Sequence, residues 1–382
     1  MRDILDGLLR WWHAGEPAGL ATVTATWASA PRQPGAAMAV GPDGSVLGSV
    51  SGGCVEGAVY ELCREVAAGG EARTVRFGVS DDDAVQVGLT CGGTLEVRIE
   101  RVDRATFPEL PQLAEGIAAG RPVALASRLS DGVVRHLVIT PDGRAGTLGR
   151  DRIDDAVTDD GRGLLAAGRS GTLRYGPDGE RRGVGLAILV SSFAPPARML
   201  VFGATDHAAA TAEIGSFLGL KVTVCDARPV FATPKRFPDA HEVIVEWPHR
   251  YLQVEVEEGR IDERTVLCVL THDPKFDVPL LEVALRLPVA YVGAMGSRRT
   301  HDDRLKRLHE TGLTDRELDR LASPVGLDLG ARTPEETAVS IAAEIVALRW
   351  GGTGARLSGT DGRIHPAGPG SIAEPGPAAG VS

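Results

Sequence analysis

The sequence predicts an α/β protein with a mixed α+β N-terminal domain followed by a C-terminal doubly wound parallel sheet. Three observations predict this fold class. The chain has 382 residues, which is enough for two domains. Strand patterns dominate the first half, whereas short apolar strands alternate with helical stretches after residue 198. Between the two patterns lies Phe193-Ala194-Pro195-Pro196, which is stiff because each proline fixes φ.

The N-terminal domain is predicted to span residues 1–193. Apolar residues recur at helical spacing over 3–13 and over 55–68. Alternating or short apolar runs predict strands over 19–27, 36–40, 73–77 and 94–101.

Residues 102–193 have a weaker pattern and are assigned to the same domain. The expected elements are a helix over 109–119 and strands over 122–128, 133–139 and 184–193. The charged, Gly-rich stretch 150–183 is predicted to be loop with one short helix. No internal repeat is evident in the sequence.

The second domain is predicted to span residues 198–350. Strands are expected over 199–202, 221–225, 242–246, 265–270 and 288–292, with helices over 206–218, 274–286 and 297–311. A last helix should begin at Thr333, which with Pro334 and Glu336 forms a capping box. The Gly/Pro-rich residues 351–382 are predicted to be a mobile tail.

Composition limits the function. The chain carries 41 Lys and Arg against 51 Asp and Glu, and the net charge of −10 disfavours nucleic acid and anionic membrane as partners. Five cysteines without a C-x-x-C pair predict neither a zinc site nor a disulfide framework. We therefore expect no metal site. No signal peptide and no apolar run of about 18 residues is evident, so we expect a cytoplasmic protein.

Cys54 is the first candidate for chemistry. It follows Gly52 and Gly53 and opens the helix over 55–68, with Glu56 in the first turn. A helix N-terminus with free N–H groups favours a thiolate, and the glycines allow a ligand to approach the backbone. The alternative is a small core residue that fills a tight turn.

Cys91 is the second candidate, because Gly92 and Gly93 follow it just before the strand over 94–101. Two cysteines beside glycine pairs in one domain predict a shared soft-ligand or sulfur-handling site. The alternative is two unrelated turn cysteines. The other three cysteines, Cys63, Cys225 and Cys268, are expected in the core.

The turn after the first strand of the second domain lies where a dinucleotide fingerprint is found. Gly203 begins this turn, but Thr205 stands at the position of the second glycine. Asp226 ends the next strand, where an acidic residue would meet a ribose 2′-OH. The pattern therefore predicts a Rossmann-like domain that binds a dinucleotide, a different ligand, or none.

Two further strand ends carry polar residues. His272 follows the strand over 265–270 and could act as a base or ligand, or be an ordinary loop histidine. Gly296, Ser297 and Arg298 follow the next strand and open a helix. Free N–H groups beside a guanidinium predict an anion site, with a solvated, capped helix as the alternative.

Five motifs in one order resemble the xanthine dehydrogenase accessory protein family (XdhC/CoxI). They are S-G-G-C-V-E at 51–56, G-L-T-C-G-G at 88–93, V-C-D-A-R-P at 224–229, V-G-A-M-G-S-R-R-T at 292–300 and G-L-D-L-G-A-R-T-P-E-E at 326–336. The likeness runs from about residue 5 to 350. One departure is Thr205, where many family members have glycine.

The resemblance implies a maturation factor for molybdenum hydroxylases such as xanthine or carbon monoxide dehydrogenase. Such a factor binds the molybdenum cofactor (molybdopterin), supports its sulfuration with a cysteine desulfurase, and delivers it to the apo molybdenum hydroxylase. It implies a homodimer that acts as a cofactor-binding chaperone rather than a turnover enzyme.

Carried over by position, Cys54 and Cys91 would handle the cofactor or its sulfur. The residues of the second domain that would line the cleft are Gly203, Asp226, His272, Gly296, Ser297 and Arg298. Two alternatives stay open. One is an NAD(P)-dependent oxidoreductase with His272 as acid or base, and the other is a chaperone whose cysteines are structural.

Overall fold

The computed structural model describes residues 1–27, 32–78, 93–181 and 185–361. They form two compact units, which we call the N-terminal unit (Met1–Pro195) and the C-terminal unit (Pro196–Asp361). The division falls between the two prolines of the stiff segment seen in the sequence. In the part of the chain that is described, every helix is too short or too polar to cross a membrane.

The N-terminal unit consists of two halves with the same order of elements: a helix, three strands, a helix and two strands. After a 3-10 turn at Arg2–Ile4, the first half contains α1 (Leu5–Ala14), β1 (Ala18–Trp27), β2 (Ala37–Val40), β3 (Val46–Gly48), α2 (Glu56–Ala67), β4 (Arg73–Phe77) and β5 (Thr94–Val102). The second half contains α3 (Leu110–Ala118), β6 (Val123–Arg128), β7 (His136–Ile139), β8 (Arg144–Gly146), α4 (Asp151–Ala166), β9 (Gly171–Tyr175) and β10 (Leu186–Phe193).

The two halves are a structural repeat. Their antiparallel sheets have equivalent strand orders, β3-β2-β1-β5-β4 and β8-β7-β6-β10-β9. The third strand ends in a glycine with positive φ in both, Gly48 at 74° and Gly146 at 89°. At either glycine a Cβ would collide with the carbonyl oxygen of the neighbouring strand. The prediction that the chain has no internal repeat is therefore wrong. The sequence conceals the repeat because the two halves share few identical residues.

The halves pack as four layers, with α2 and α4 outside and the two sheets between them. Leu20 of the first sheet and Leu125 of the second belong to one apolar cluster between the sheets, which α1 and α3 complete. The opposite face of the first sheet packs on α2, and that of the second packs on α4. Each sheet is therefore apolar on both faces, which agrees with the continuous burial of β2 and β7.

The stretch 150–183 differs from its prediction. It contains the 16-residue helix α4 and strand β9, not a loop with one short helix. Ile153, Val157 and Leu165 form the buried stripe of α4. The intervening aspartates and arginines lie mainly on its outer face, and their number conceals the helical period in the sequence.

The C-terminal unit is built around a parallel sheet with helices on both faces. Its elements are β11 (Arg198–Phe202), α5 (Asp206–Phe217), β12 (Lys221–Asp226), β13 (Glu242–Val245), α6 (Pro248–Glu257), β14 (Val266–Val269), α7 (Pro274–Ala284), β15 (Tyr291–Ala294), α8 (Arg298–Glu310), α9 (Asp315–Leu318), β16 (Leu321–Ala322), α10 (Pro334–Trp350) and a 3-10 turn at Leu357–Gly359. Separate apolar clusters cover the two faces of the sheet. The predicted doubly wound fold is confirmed.

The strand order is β13-β12-β11-β14-β15-β16, with every neighbouring pair parallel. After β11 the chain builds first one side of the sheet and then the other, so the switch point lies between β11 and β14. The strand expected over 288–292 in fact runs from Tyr291 to Ala294, because Val269 of β14 pairs with Ala294. The Thr333 capping box at the start of α10 is present as predicted.

Candidate functional site

Cys54 lies in the loop of residues 49–55 that joins β3 to α2, which we call the glycine–cysteine loop. Its side chain is half-buried and packs against the apolar cluster under α2. Gly52 and Gly53 are exposed and have φ values of 80° and 121°. A Cβ at either glycine would meet no atom within 4 Å, so the loop requires glycine for its backbone conformation and leaves open space above it.

The carboxylate of Glu56 occupies the centre of this loop. It accepts hydrogen bonds from the N–H groups of Ser51 (2.8 Å), Gly52 (2.9 Å) and Gly53 (2.8 Å). The hydroxyls of Ser49 and Ser51 also donate to it. Burial raises the pKa of Glu56, but these hydrogen bonds outweigh it and lower the pKa to about 2.

This geometry corrects one part of the sequence interpretation. The sequence predicts loop N–H groups that are free and favour a thiolate at Cys54. Four of them, those of Ser51, Gly52, Gly53 and Val55, instead donate to Glu56. The Cys54 N–H itself donates to the Ser51 hydroxyl at 3.0 Å. Cys54 is therefore held on a rigid loop that contains its own anion.

Cys91 and Gly92 lie outside the described residues, whereas Gly93 is described and buried just before β5. Phe77 at the end of β4 pairs with Leu95 near the start of β5. The antiparallel pairings place these strand ends at the end of the sheet where β3 leads into the glycine–cysteine loop. The joint role of the two cysteines stays a prediction.

Gly203 lies in the turn between β11 and α5, at the switch point of the C-terminal sheet. Its φ is 110°, and an added Cβ would come within 3.0 Å of the Leu270 carbonyl group after β14. Thr205 differs from a dinucleotide fingerprint, because it stands at the position of the second glycine. Thr205 is the N-cap of α5, and its hydroxyl accepts the Ala208 N–H at 3.2 Å. This threonine thus uses its side chain to cap the helix where glycine would admit a pyrophosphate.

Asp226 is buried at the end of β12, next to this turn. Its Oδ2 accepts the Ala204 N–H at 2.7 Å, and Arg228 donates through Nε (2.9 Å) and Nη2 (2.8 Å). Burial opposes ionisation, but the bonds from Arg228 and Ala204 prevail and lower the pKa of Asp226. The carboxylate therefore fixes the turn, and its acceptor sites are engaged within the protein.

The remaining predicted residues lie after β14 and β15. His272 is exposed and follows the buried Thr271. Gly296 has a φ of 154°, and Ser297 caps α8 by accepting the Thr300 N–H at 3.2 Å. Arg298 is the exposed first residue of α8. The start of α8 thus offers backbone N–H groups and a guanidinium to an anion.

Comparison with known proteins covers both units. The model of the XdhC and CoxI family matches residues 11–78 and 117–176, and the XdhC Rossmann domain matches residues 199–345. This chain belongs to the XdhC and CoxI family. The first matched range includes Gly52, Gly53 and Cys54 of this XdhC-family chain, whereas Cys91, Gly92 and Gly93 fall between the matched ranges.

Two curated relatives and one solved structure align with most of the XdhC-family chain. A Bacillus subtilis protein described as a probable xanthine dehydrogenase subunit is 26% identical over 91% of this chain and 96% of its own length. The molybdenum cofactor insertion chaperone PaoD of Escherichia coli is 27% identical over 91% of this chain and 88% of its own. A crystal structure described as a xanthine dehydrogenase from Bacillus halodurans matches with a TM-score of 0.63 at 26% identity, covering 91% of this chain and 95% of that one.

The XdhC Rossmann domain brings Gly203, Asp226, His272 and the segment Gly296–Arg298 to neighbouring strand ends, because the register aligns Phe202, Cys225, Val269 and Ala294. Gly52, Gly53, Cys54 and Gly93 belong to the N-terminal unit. Cys63, Cys225 and Cys268 are buried as expected, and burial raises the pKa of each thiol.

Sequence reasoning missed four charged residues that shape these sites: Glu56 as an acceptor for its loop, Arg228, Asp277 and Arg304. A signal existed for Arg304, which lies four residues before the buried Leu308 on the inner side of α8. Among the described residues, no three His, Cys, Asp or Glu side chains form a group that could hold a metal ion.

Proposed function

We propose that this protein is a maturation factor that binds the molybdenum cofactor (molybdopterin), supports its sulfuration and delivers it to a molybdenum hydroxylase. The name of the PaoD relative, which aligns with 91% of the chain, supports insertion of the cofactor as the task. The observation that carries the proposal is Cys54, a half-buried thiol on a loop that Glu56 holds in place. A cysteine desulfurase would supply the sulfur, and the apo hydroxylase would receive the cofactor.

Cys54 has the chemistry that this role needs. A cysteine sulfur is a soft ligand that suits molybdenum. Its thiolate can also take the outer sulfur of a persulfide on the cysteine desulfurase, which releases the desulfurase cysteine as a thiolate. The open space above Gly52 and Gly53 allows a bulky group to approach the thiol. Cys91 would act with Cys54, as the sequence predicts.

The carboxyl edge of the C-terminal sheet suits the phosphate of the cofactor. The exposed Arg298 and the N–H groups at the start of α8 provide positive potential. Arg228 neutralises the buried carboxylate of Asp226, so this charge repels an anion less. Gly203 and Gly296 themselves carry no side chain in the turns after β11 and β15, and His272 adds a proton donor or acceptor.

The same edge argues against the oxidoreductase alternative. The Asp226 carboxylate, which would accept from a ribose 2′-OH, is already engaged by Ala204 and Arg228. Thr205 occupies the position where a glycine admits the pyrophosphate. We therefore expect no saturable binding of NAD(H) or NADP(H) in calorimetric titration.

The proposal is tested by cofactor retention. The full chain, Cys54→Ala and Cys91→Ala are purified after co-expression with cofactor biosynthesis, and bound molybdenum and pterin are quantified. Cys63→Ala is the matched control, because Cys63 is a buried thiol of the same unit. We expect loss of cofactor with the first two variants and retention with the control.

Rescue of an apo molybdenum hydroxylase separates the remaining hypotheses. Wild-type cofactor retention together with unimpaired rescue by both variants would remove the thiols from the mechanism and leave a chaperone with structural cysteines. Absence of cofactor from the wild-type protein would refute the proposal itself. Pulldown of the hydroxylase and of a cysteine desulfurase tests the partners, and sedimentation velocity tests the homodimer that the family resemblance implies.

A further inference from the structure

Arg304 is a buried cation at the carboxyl edge of the C-terminal sheet. It belongs to α8 and is only 4% exposed. Its Nη2 donates to the carbonyl oxygen of Met295 at 2.7 Å, and its Nη1 donates to the Ser323 hydroxyl at 3.0 Å. One guanidinium thus joins the loop after β15 to the loop after β16. Met295 directly precedes Gly296, Ser297 and Arg298.

Asp277 extends this link to the loop after β14. It lies on α7, is 3% exposed, and its Oδ2 accepts from Arg304 Nη2 at 3.0 Å. Its Oδ1 accepts the hydroxyl of Thr271, the residue before His272. Thr271 also lies close to Gly203: a Cβ added to that glycine would be 3.0 Å from the methyl group of Thr271. The hydrogen bonds therefore run without a break from the loop after β14, through Asp277 and Arg304, to the loops after β15 and β16.

The ion pair between Arg304 and Asp277 makes more hydrogen bonds than are needed to hold α8 against α7. A buried ion pair is costly to desolvate and can often be replaced by apolar side chains without loss of stability. Here both side chains also bond to loop groups. The arginine donates to Met295 through the same Nη2 that reaches the aspartate, and to Ser323 through Nη1. The aspartate accepts from the Thr271 hydroxyl. The planar fork of arginine can satisfy such divergent acceptors, whereas a lysine amine cannot.

We propose that Arg304 and Asp277 are positioning residues that hold the His272 loop and the Gly296–Arg298 loop in one arrangement, and so set the affinity of this edge for its anionic ligand. The inference rests on the proposed function for the identity of the ligand. Neither side chain needs to contact the ligand, because both are enclosed by the loops.

The first test is amide hydrogen exchange on the full chain. Arg304→Lys keeps a positive charge beside Asp277 but loses the fork, so residues 271–273 and 295–297 should both exchange at least about tenfold faster. Arg307→Lys is the matched control, since Arg307 is exposed on the same helix. Unchanged exchange in either loop of the Arg304 variant overturns the inference.

The second test measures affinity for isolated molybdenum cofactor by anaerobic equilibrium dialysis. Arg304→Lys should weaken binding at least about tenfold, as loss of an outer-shell partner commonly does, and Arg307→Lys should not. If Arg304 acts through the loop that carries Arg298, the Arg304→Lys, Arg298→Ala double variant should lose less than the product of the single losses.

The two proposals fail in distinguishable ways. If the wild-type protein binds no cofactor, the proposed function is refuted, and loop exchange alone decides whether Arg304 positions the loops. If the wild type binds and Arg304→Lys binds equally well, or if the losses multiply independently, the positioning role is refuted while the proposed function stands.

Discussion

Replacing Glu56 with glutamine should loosen the glycine–cysteine loop and expose Cys54. The carboxylate accepts hydrogen bonds from four loop N–H groups and from two hydroxyls, all at 3.2 Å or less. An amide of the same size has one oxygen acceptor, and its NH₂ group would face donors. The substitution therefore changes the hydrogen bonding of the loop with little change of shape.

The expected loss of stability follows from the buried part of this network. Hydrogen bonds to a charged group contribute about 1.5–3 kcal/mol each, but water replaces those of the exposed Gly52 and Gly53. The bonds of Ser51, which is 2% exposed, are the ones that water cannot easily replace. We expect Glu56→Gln to lower the free energy of unfolding by about 2–3 kcal/mol, or a Tm shift of about 4–12 °C for a domain of this size.

The pH dependence gives this prediction a sign. The folded-state pKa of Glu56, about 2, lies below its ordinary value of 4.5. The stabilisation is therefore complete above pH 4.5 and is lost as the pH falls toward 2. The difference between wild type and Glu56→Gln should be largest at neutral pH and should shrink over that interval.

Urea denaturation and alkylation of Cys54, followed by peptide mass spectrometry, measure the two effects. Glu61→Gln is a surface control on α2, because Glu61 is exposed. Asp154→Asn is the internal control: Asp154 accepts Thr147 Oγ1 and the Leu148 N–H, both at 2.7 Å, in the equivalent loop of the second half. It should destabilise without altering Cys54. Equal stability of Glu56→Gln and wild type, together with an unchanged alkylation rate, would refute the reasoning.

Three further predictions concern the C-terminal unit. Gly203→Ala should lower the free energy of unfolding by about 1–3 kcal/mol in denaturation curves, because φ is 110° and the Leu270 carbonyl would be 3.0 Å from the new Cβ. Gly57→Ala is the control and should not destabilise the protein, because its new Cβ would meet no atom within 4 Å. Thr333→Ala should cost about 1 kcal/mol by removing the capping box of α10, and a cost near zero would mean that water replaces the cap. NAD(H) and NADP(H) should give no saturable heat in titration calorimetry, and saturable binding would restore the oxidoreductase alternative.

The sequence is sufficient to predict the architecture of the C-terminal unit. Short apolar strands alternating with helices have few other packings, and the capping box at Thr333 marks a helix start on local grounds alone. The position of Asp226 at the end of β12 is also predictable. Its partners are not, because the choice between a ribose and Ala204 depends on the path of a turn distant in sequence.

Other features depend on contacts that no local pattern records. Arg304 lies in a charged segment that is typical of a solvated helix face, and its partners come from three separate elements. The role of Glu56 depends on its side chain turning back to the loop that precedes it. Helix α4 escapes prediction when the frequency of charged residues is given more weight than the spacing of Ile153, Val157 and Leu165.

The internal repeat allows the glycine–cysteine loop to be compared with the equivalent loop of the second half. Glu56 and Asp154 occupy equivalent positions after the third strand of each half, and each carboxylate accepts from a hydroxyl and from a loop N–H. A carboxylate at this position therefore has a structural role in both halves, whether or not a thiol is nearby. Where the first half has Gly52, Gly53 and Cys54, the second has Arg150, Asp151 and Arg152. The thiol and its two glycines distinguish the first loop from its structural counterpart. This difference supports the proposal that Cys54, rather than Glu56, is the group that would serve the ligand.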